Sequence, residues 1–178
     1  MYKGFKISLV AAMSDNRVIG RGSTIPWRAK GDLRFFKEQT ENRPVIMGRK
    51  TFESLKNAGV QPLPGRPNLV VTTRADYCFD HPDVSIHHSM DDALHHAAKL
   101  AAELDTDTVC IGGGAEIYKL SLPVADIIHL TEIHCMIEDG DTFFPDFSRD
   151  EWQETRREYR KAENGDTADY SFVTWQRA

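Results

Sequence analysis

One carboxylate, Asp32, stands among apolar and aromatic residues. It follows Ile25-Pro26-Trp27 and precedes Leu33 and Phe36. An ionised carboxylate in such surroundings is unfavourable, so the site must protonate it, pair it with a cation, or offer it a ligand with N–H donors. Asp in the first turn of a helix is also common and stabilises the helix by about 1 kcal/mol. For an isolated Asp the helix-start interpretation is the commoner one, so other segments must decide.

A run of three glycines could bind a phosphate. Gly112-Gly113-Gly114 follows the apolar run 108–111 and precedes a helix-forming segment, 116–120. In that order the backbone N–H groups at the helix N-terminus are free to bind a phosphate, although a tight turn explains the glycines equally well. The run does not match the Rossmann pattern G-x-G-x-x-G, because Ile117 occupies the place of the last glycine.

Two further segments pass directly from an apolar run to basic and hydroxyl residues: 47–51, Met-Gly-Arg-Lys-Thr, and 71–74, Val-Thr-Thr-Arg. The Arg side chain offers a fork of donors that matches a phosphate monoester, whereas a ribose without that phosphate favours an acidic acceptor. The two segments therefore indicate NADP rather than NAD. Taken singly, each Arg is more often a solvated surface charge.

Arg66 lies in a turn between two prolines, Pro64 and Pro67, where it is suited to hold a carboxylate or is simply a loop charge. Other chemistry finds little support. The seven His residues include the adjacent pairs 87–88 and 95–96, but adjacent positions diverge on regular elements and no H-E-x-x-H is present, which disfavours a metal site. No G-x-S-x-G or Cys–His signature indicates a hydrolase.

Continuous apolar runs at 5–13, 44–47, 68–72 and 108–111 predict interior strands with helices between them, which is the α/β class. A capping box at 89–92 predicts a helix through Leu104. A further strand is predicted over 125–134, with His129, Thr131 and Ile133 on one face. The segment 150–161 is ambiguous between a helix and a charged edge strand, and the turn 164–166 before the strand 170–175 predicts a terminal hairpin.

The overall numbers exclude several classes of protein. A chain of 178 residues fits one domain, and a net charge of -5 disfavours nucleic acid as a partner. The longest apolar stretch is far shorter than the ~20 residues that span a bilayer. Cys78, Cys110 and Cys135 are odd in number and form no C-x-x-C pair, which indicates a reducing compartment and predicts a cytoplasmic protein.

Taken together, six segments in order closely resemble the dihydrofolate reductase family: 25–27, 32–36, 45–51, 63–66, 111–114 and 140–145. The resemblance spans nearly the whole chain. It implies a single domain, 1–178, with a central eight-stranded, mainly parallel sheet, an antiparallel C-terminal strand and about four flanking helices. It also implies a monomer that uses NADPH to reduce 7,8-dihydrofolate to tetrahydrofolate for one-carbon metabolism and that binds antifolate inhibitors. The ambiguous segment 150–161 then becomes a strand.

The resemblance implies a role for each matched residue. Asp32 would hydrogen-bond the N3 and 2-amino groups of the pterin and favour protonation of N5, with Thr131 as its partner and Trp27 completing the catalytic group. The implied substrate contacts are Val10, Ala11, Leu33, Phe36, Leu55, Ile111 and Tyr118, with Arg66 on the glutamate α-carboxylate. The implied cofactor contacts are Ala12, Ile19, Gly20, Gly48, Arg49, Lys50, Thr51, Thr72, Thr73, Arg74, His88, Gly112, Gly113, Gly114, Ala115, Glu116 and Ile117.

The resemblance further implies a cis peptide between Gly112 and Gly113, and a mobile loop over residues 14–24 that closes over the nicotinamide. Ile25, Arg28, Lys30 and the insertion-like stretch 57–61 depart from common versions of the pattern. Two alternatives stay open: an NADPH-dependent reductase of a ribosylated aminopyrimidine with a related fold, and a pteridine- or nucleotide-binding module without turnover. Asp32 with Trp27 and Arg66 favours folate, and the pair Asp32 and Thr131 favours an enzyme.

Overall fold

The structure is a computed structural model that describes residues 1–178. It contains ten strands: β1 Lys6–Ser14, β2 Val18–Gly20, β3 Val45–Gly48, β4 Asn68–Val71, β5 Val84–His87, β6 Thr108–Gly113, β7 Ile127–Ile133, β8 Thr142–Phe143, β9 Trp152–Arg160 and β10 Tyr170–Arg177. The four α-helices are α1 Lys30–Thr40, α2 Arg49–Ser54, α3 Met90–Glu103 and α4 Ala115–Ser121, and short 3-10 turns cover Leu55–Ala58 and Leu122–Val124.

Eight strands form one sheet in the order β5-β4-β3-β6-β1-β7-β10-β9. The six strands from β5 to β7 pair in parallel, and β10 runs antiparallel to both of its neighbours. The predicted sheet, its antiparallel C-terminal strand and its four helices are therefore confirmed. Because parallel strands end at the same edge, the segments after β1, β3, β4, β6 and β7 meet there, which is where open α/β sheets bind ligands.

Both faces of the sheet are covered, which explains the continuous apolar runs. Ile46 and Ile111 pack in the largest core cluster together with α3, whereas their neighbours Val45 and Cys110 pack in a smaller cluster with Phe52 of α2. A strand covered on both faces needs apolar residues at consecutive positions, not at alternate ones. The predicted helix over residues 89–104 is also confirmed, since the Ser89 hydroxyl accepts a hydrogen bond from the Asp92 N–H at 3.1 Å.

The ambiguous segment 150–161 is a strand. β9 pairs with β10 along its whole length, from Trp152 opposite Arg177 to Arg160 opposite Tyr170, and it is the edge strand of the sheet. Trp152 is buried, while most of the other β9 side chains are exposed and charged. Pairing with β10 thus overrides the helical propensity of the Glu and Arg residues, and the charges protect an otherwise open sheet edge. None of the helices is long and apolar enough to cross a membrane.

Candidate active site

Asp32 lies in the first turn of α1, close to the end of β7. The N-cap residue is Ala29, and no side chain caps the helix from that position, so Asp32 does not act as a cap. Its carboxylate oxygen Oδ1 instead accepts a hydrogen bond from the Thr131 hydroxyl at 2.8 Å, and Thr131 is fully buried. Burial raises the pKa of Asp32 to about 6, and the hydrogen bond from Thr131 opposes that shift only in part.

Trp27 lies in the segment just before α1. It is buried in a cluster with Val18, Phe35, Ile133 and Tyr170. Its indole N–H makes no hydrogen bond within the protein. Since a buried donor usually has a partner, this N–H is available to a substrate or a water molecule.

Several apolar side chains on α1 and in the segments near it are left uncovered. Leu33 is 70% exposed and Ile25 61% exposed, while Phe36 and Leu55 are half-buried. Asp32 and Phe36 are four residues apart on α1 and therefore share a helix face. Apolar surface left open on the helix that carries Asp32 is suited to a flat, largely apolar ligand with a polar edge.

Other predicted substrate contacts support this cleft from below. The side chains of Val10 and Ile111 are fully buried in the sheet, and Ala11 is almost fully buried. The Tyr118 hydroxyl donates to the Val10 carbonyl at 2.7 Å, and burial raises the pKa of Tyr118. Gly112 permits a close approach, because a Cβ there would lie 3.0 Å from Val45 and 3.6 Å from the Phe36 ring.

Arg66 is a buried cation that forms no ion pair. Only 5% of the residue is exposed, its Nε donates to the Pro64 carbonyl at 2.9 Å, and its Nη1 donates to the Thr40 hydroxyl at 2.5 Å. Burial lowers the pKa of Arg66, and the negative charge of Glu41 opposes that change in part. A buried guanidinium held in this way still has free N–H donors and no negatively charged partner. It is therefore suited to bind an anionic ligand.

The turns after β3 and β6 touch each other and form a narrow cradle. A Cβ on Gly48 would lie 3.3 Å from the Ile117 side chain and 3.9 Å from the Gly113 carbonyl oxygen, and one on Gly114 would lie 3.0 Å from the Thr51 hydroxyl. Bare backbone at this point leaves room for a pyrophosphate between the starts of α2 and α4. The residues present therefore fit a dinucleotide cofactor.

The predicted position of the cis peptide is wrong by one residue. The cis bond joins Gly113 to Gly114, not Gly112 to Gly113. β6 continues through Gly113, which pairs with Met47 of β3, and Gly113 has a φ of 104°. The predicted strand 108–111 thus extends two residues further, through Gly113.

The predicted phosphate-binding arginines already have partners. Arg49 pairs with Glu53 at 2.8 Å, and Arg74 lies 3.6 Å from Asp76. His88 hydrogen-bonds the carbonyl of Thr72 through Nδ1 at 2.9 Å, which ties the end of β4 to the segment after β5. Lys50 and Thr73 are exposed. The structure brings these residues to one sheet edge, as the sequence predicted. It also shows that the carboxylates of Glu53 and Asp76 lie beside the two arginines.

The loop 14–24 is held by a segment to which sequence reasoning gave no role. β2 pairs with β8, the Gly22 N–H donates to the Asp141 carboxylate at 2.7 Å, and the Asp141 N–H donates to the Gly20 carbonyl at 3.1 Å. Arg21 also pairs with Asp139 at 3.0 Å. The Gly-Asp-Thr sequence at 140–142 was the available signal, and its hydrogen bonds hold the loop at Gly20 and Gly22.

A second turn positions the start of α1. The Asp166 carboxylate accepts from the Lys30 N–H at 2.8 Å, and residues 28 and 167 exchange two further hydrogen bonds, both of 2.8 Å. A Cβ on Gly31 would collide with the Tyr170 hydroxyl. Asp166 therefore supplies from a distant turn the N-terminal hydrogen bond that Ala29 cannot make.

We expect Asp166→Ala to lower the melting temperature by about 3 °C, because a helix N-terminus loses its cap, and to lower kcat through displacement of Asp32. Asp166→Asn is the matched control, since an amide oxygen can still accept from Lys30. Thermal melts and steady-state rates of both variants check this, and similar losses in the two would contradict a capping role.

Comparison with known proteins points to one family. A family model described as Dihydrofolate reductase matches residues 6–177. A dihydrofolate reductase of Neisseria meningitidis is 40% identical over 172 residues, covering 97% of this chain and 98% of that protein. Dihydrofolate reductase HdrB of Haloferax volcanii is 41% identical over 170 residues, covering 95% and 82%. A solved structure of Enterococcus faecalis dihydrofolate reductase complexed with NADP(H) and RAB-propyl has a TM-score of 0.85 at 30% identity and covers 99% of each chain.

Since the solved relative with this fold carries NADP(H), the fold and the cradle together define the class of NADP(H)-dependent oxidoreductases. The family model covers nearly all of the sequence. The chain belongs to the dihydrofolate reductase family, and its activity is the reduction of dihydrofolate with NADPH as cofactor. No group of three or more His, Cys, Asp or Glu side chains is placed to hold a metal ion.

Proposed function

We propose that Asp32, Thr131 and Trp27 form the catalytic centre for this reduction. The observation that carries the proposal is the desolvated Asp32 carboxylate, which accepts a hydrogen bond from the fully buried Thr131 and shares a helix with the half-buried Phe36. The pterin ring would lie against Leu33 and Phe36, with its N3–H and 2-amino groups donating to Asp32. When bound, NADPH supplies the hydride that is added at pterin C6.

Asp32 acts on the proton side of the reaction. With a pKa of about 6, the carboxylate is largely ionised at pH 7 and poorly suited to donate a proton directly. Its negative charge instead stabilises a cationic pterin and so favours protonation of N5, with water as the immediate donor. Thr131 holds one oxygen of the carboxylate, which fixes the plane in which the pterin is bound. Trp27 excludes bulk water from that side.

Arg66 and the apolar walls would bind the rest of the substrate. A buried guanidinium with free donors suits the glutamate α-carboxylate, and Leu55 with Phe36 suits the aminobenzoyl ring. The deep supporting positions are Val10, Ala11, Ile111 and Tyr118. Antifolates that present a cationic ring edge and an apolar body would use the same groups.

The cofactor would extend from the loop 14–24 across the cradle to the end of β4. Ala12, Ile19 and Gly20 lie at the nicotinamide end. The pyrophosphate would be bound by the glycines and the starts of the helices, through Gly48, Lys50, Thr51, Gly112, Gly113, Gly114, Ala115, Glu116 and Ile117. The 2′-phosphate would be bound by Arg49, Thr72, Thr73 and Arg74. His88 would contact the edge of the adenine.

Replacing Arg49 and Arg74 by Gln should therefore weaken NADPH binding by about tenfold or more for each residue, and NADH binding far less. Arg34→Gln is the matched control, because Arg34 forms the same type of ion pair, with Glu38 four residues along its helix at 2.9 Å. Fluorescence titration with both cofactors measures the effect. Equal losses for NADPH and NADH would place the 2′-phosphate elsewhere.

The assigned activity is tested directly by following NADPH absorbance with dihydrofolate. Rapid oxidation that depends on dihydrofolate is the expected result. A ribosylated aminopyrimidine added in place of dihydrofolate tests the related reductase, and we expect no oxidation with it. Binding of both ligands without any oxidation would support the non-catalytic alternative instead.

We also propose that the chain acts as a single-domain monomer in the cytoplasm. One sheet includes strands from Lys6 to Arg177, and the charged edge strand β9 disfavours pairing with a second sheet. Cys78, Cys110 and Cys135 are all free thiols, as is usual in a reducing compartment. Light scattering of the purified protein, with a mass of 20.2 kDa expected, tests the monomer.

A further inference from the structure

One His from each of the two adjacent pairs meets the other between β5 and α3. His87 ends β5, and His96 lies in α3, which packs beside it. The Nε2 atom of His87 is 3.2 Å from the Nδ1 atom of His96, and the ring centroids are 5.2 Å apart. The sequence pairs 87–88 and 95–96 diverge as expected, but the fold brings their outer members together.

A hydroxyl completes a small triangle of donor atoms. Ser85 lies two residues before His87 on β5 and therefore on the same face of the strand. Its Oγ is 2.9 Å from His87 Nε2 and 3.4 Å from His96 Nδ1. The two nitrogens and the oxygen are thus all within 3.4 Å of one another, and all three residues are half-buried.

We infer that His87, His96 and Ser85 form a binding site for a borderline divalent transition-metal ion such as Zn²⁺. In a tetrahedral site with bonds of about 2.0–2.1 Å, ligand atoms lie about 3.3–3.4 Å apart. The observed separations of 2.9, 3.2 and 3.4 Å are equal to or somewhat shorter than that value, so an ion can bind the three atoms if the side chains move slightly apart. Water molecules would occupy the remaining positions.

One acidic side chain lies near the pair. Asp92, in the first turn of α3, is four residues before His96 and therefore on the same face of the helix. Its negative charge attracts a cation to the two rings.

The ligand set selects the kind of ion. Two imidazole nitrogens favour Zn²⁺, Ni²⁺ or Cu²⁺ over Mg²⁺ and Ca²⁺, which prefer carboxylate and carbonyl oxygens. With only two strong ligands, binding is weaker than at four-ligand structural zinc sites. A bound ion would fasten the edge strand β5 to α3, and it would do so one residue before His88.

The test uses the full-length protein, treated with a chelator and dialysed, and titrated with ZnCl₂ by calorimetry. We expect one saturable site per chain, and His87→Gln and His96→Gln should each weaken it at least tenfold. His95→Gln is the matched control, since His95 is an exposed neighbour that contacts Lys3 instead of the pair. This variant should bind Zn²⁺ as the wild type does.

Thermal melts provide a second measurement that does not depend on enzymatic turnover. A tenfold excess of Zn²⁺ over its Kd should raise the melting temperature of the wild type by about 3–5 °C and leave that of His96→Gln unchanged. Ser85→Ala keeps both rings and should weaken binding less than either His variant. Absence of a saturable site in the wild type, or equal affinity in wild type and His96→Gln, would overturn the assignment.

Discussion

Asp32→Asn should lower the rate of hydride transfer at pH 7 by about 10²–10³-fold. The amide has the same shape, and its oxygen can still accept from Thr131, so the fold and the cleft should remain intact. What is lost is the negative charge that stabilises a protonated pterin. Single-turnover measurements of NADPH oxidation isolate this step from product release.

The loss of rate should shrink as pH falls. A substrate that is already protonated at N5 no longer needs the carboxylate to favour that proton, so the variant should be partly rescued in acid. The pH profile of the hydride step, measured for both proteins between pH 5 and 8, shows the difference. Equal rates for wild type and Asp32→Asn across that range would reject the proposed role.

The same substitution should make the protein more stable without substrate. The pKa of Asp32 is about 6 in the folded protein and 3.8 in the reference state, so its ionisation opposes folding. Below pH 3.8 Asp32 is neutral, and its contribution to the free energy of unfolding is fully present. As pH rises through 6 the carboxyl of the folded protein ionises, and that contribution is lost. Asp32→Asn should therefore raise the free energy of unfolding by about 2–3 kcal/mol at pH 7.5 and by roughly half of that at pH 5.

Urea denaturation at the two pH values measures this gain. Glu138→Gln is the control, because Glu138 is an exposed acid that forms no ion pair, and its replacement should change little at either pH. If Asp32→Asn were no more stable than the wild type at pH 7.5, burial of the ionised carboxylate would not destabilise the folded protein as proposed. Loss of activity with a gain of stability would mark Asp32 as retained for function.

The central strands could be predicted from sequence because burial on both faces requires a local pattern of consecutive apolar residues. Consecutive apolar residues at 44–47 and 108–111 need no knowledge of their neighbours to be assigned as interior strands. β9 has no such pattern. Its charged residues favour a helix locally, and only pairing with β10 and burial of Trp152 decide its structure. Family resemblance supplied that decision where local chemistry could not.

The candidate site shows the same division. Asp32 and Arg66 could be singled out as candidates from their surroundings, an acid among apolar residues and an arginine between two prolines, whereas their roles and the partnership of Thr131 with Asp32 came from the family resemblance. The cap provided by Asp166 could not be singled out, since it bonds Lys30 across 136 positions of sequence. Nor could the carboxylates beside Arg49 and Arg74 be recognised as partners, because side-chain geometry alone distinguishes an ion pair from two solvated charges. Long-range contacts are fixed only once the chain is folded.

Arg66→Gln should raise the KM for dihydrofolate by about 10²-fold with little change in kcat, because a charge-assisted, two-point bond to the glutamate α-carboxylate is lost far from the reacting carbon. Gln is chosen because it can still donate to the Thr40 hydroxyl or the Pro64 carbonyl, which Arg66 now binds. The folded state loses an unpaired buried cation, so unfolding measurements should show no large destabilisation.

A dihydropterin without the aminobenzoyl-glutamate tail separates this role from a general effect on the cleft. With that substrate, Arg66→Gln and wild type should have the same kcat/KM, because Arg66 then has no carboxylate to bind. Arg43→Gln is the matched control, since Arg43 is a half-buried arginine nearby that donates to the Gln39 carbonyl at 2.6 Å. Equal losses with both substrates would show that Arg66 supports the shape of the site and does not bind the substrate tail.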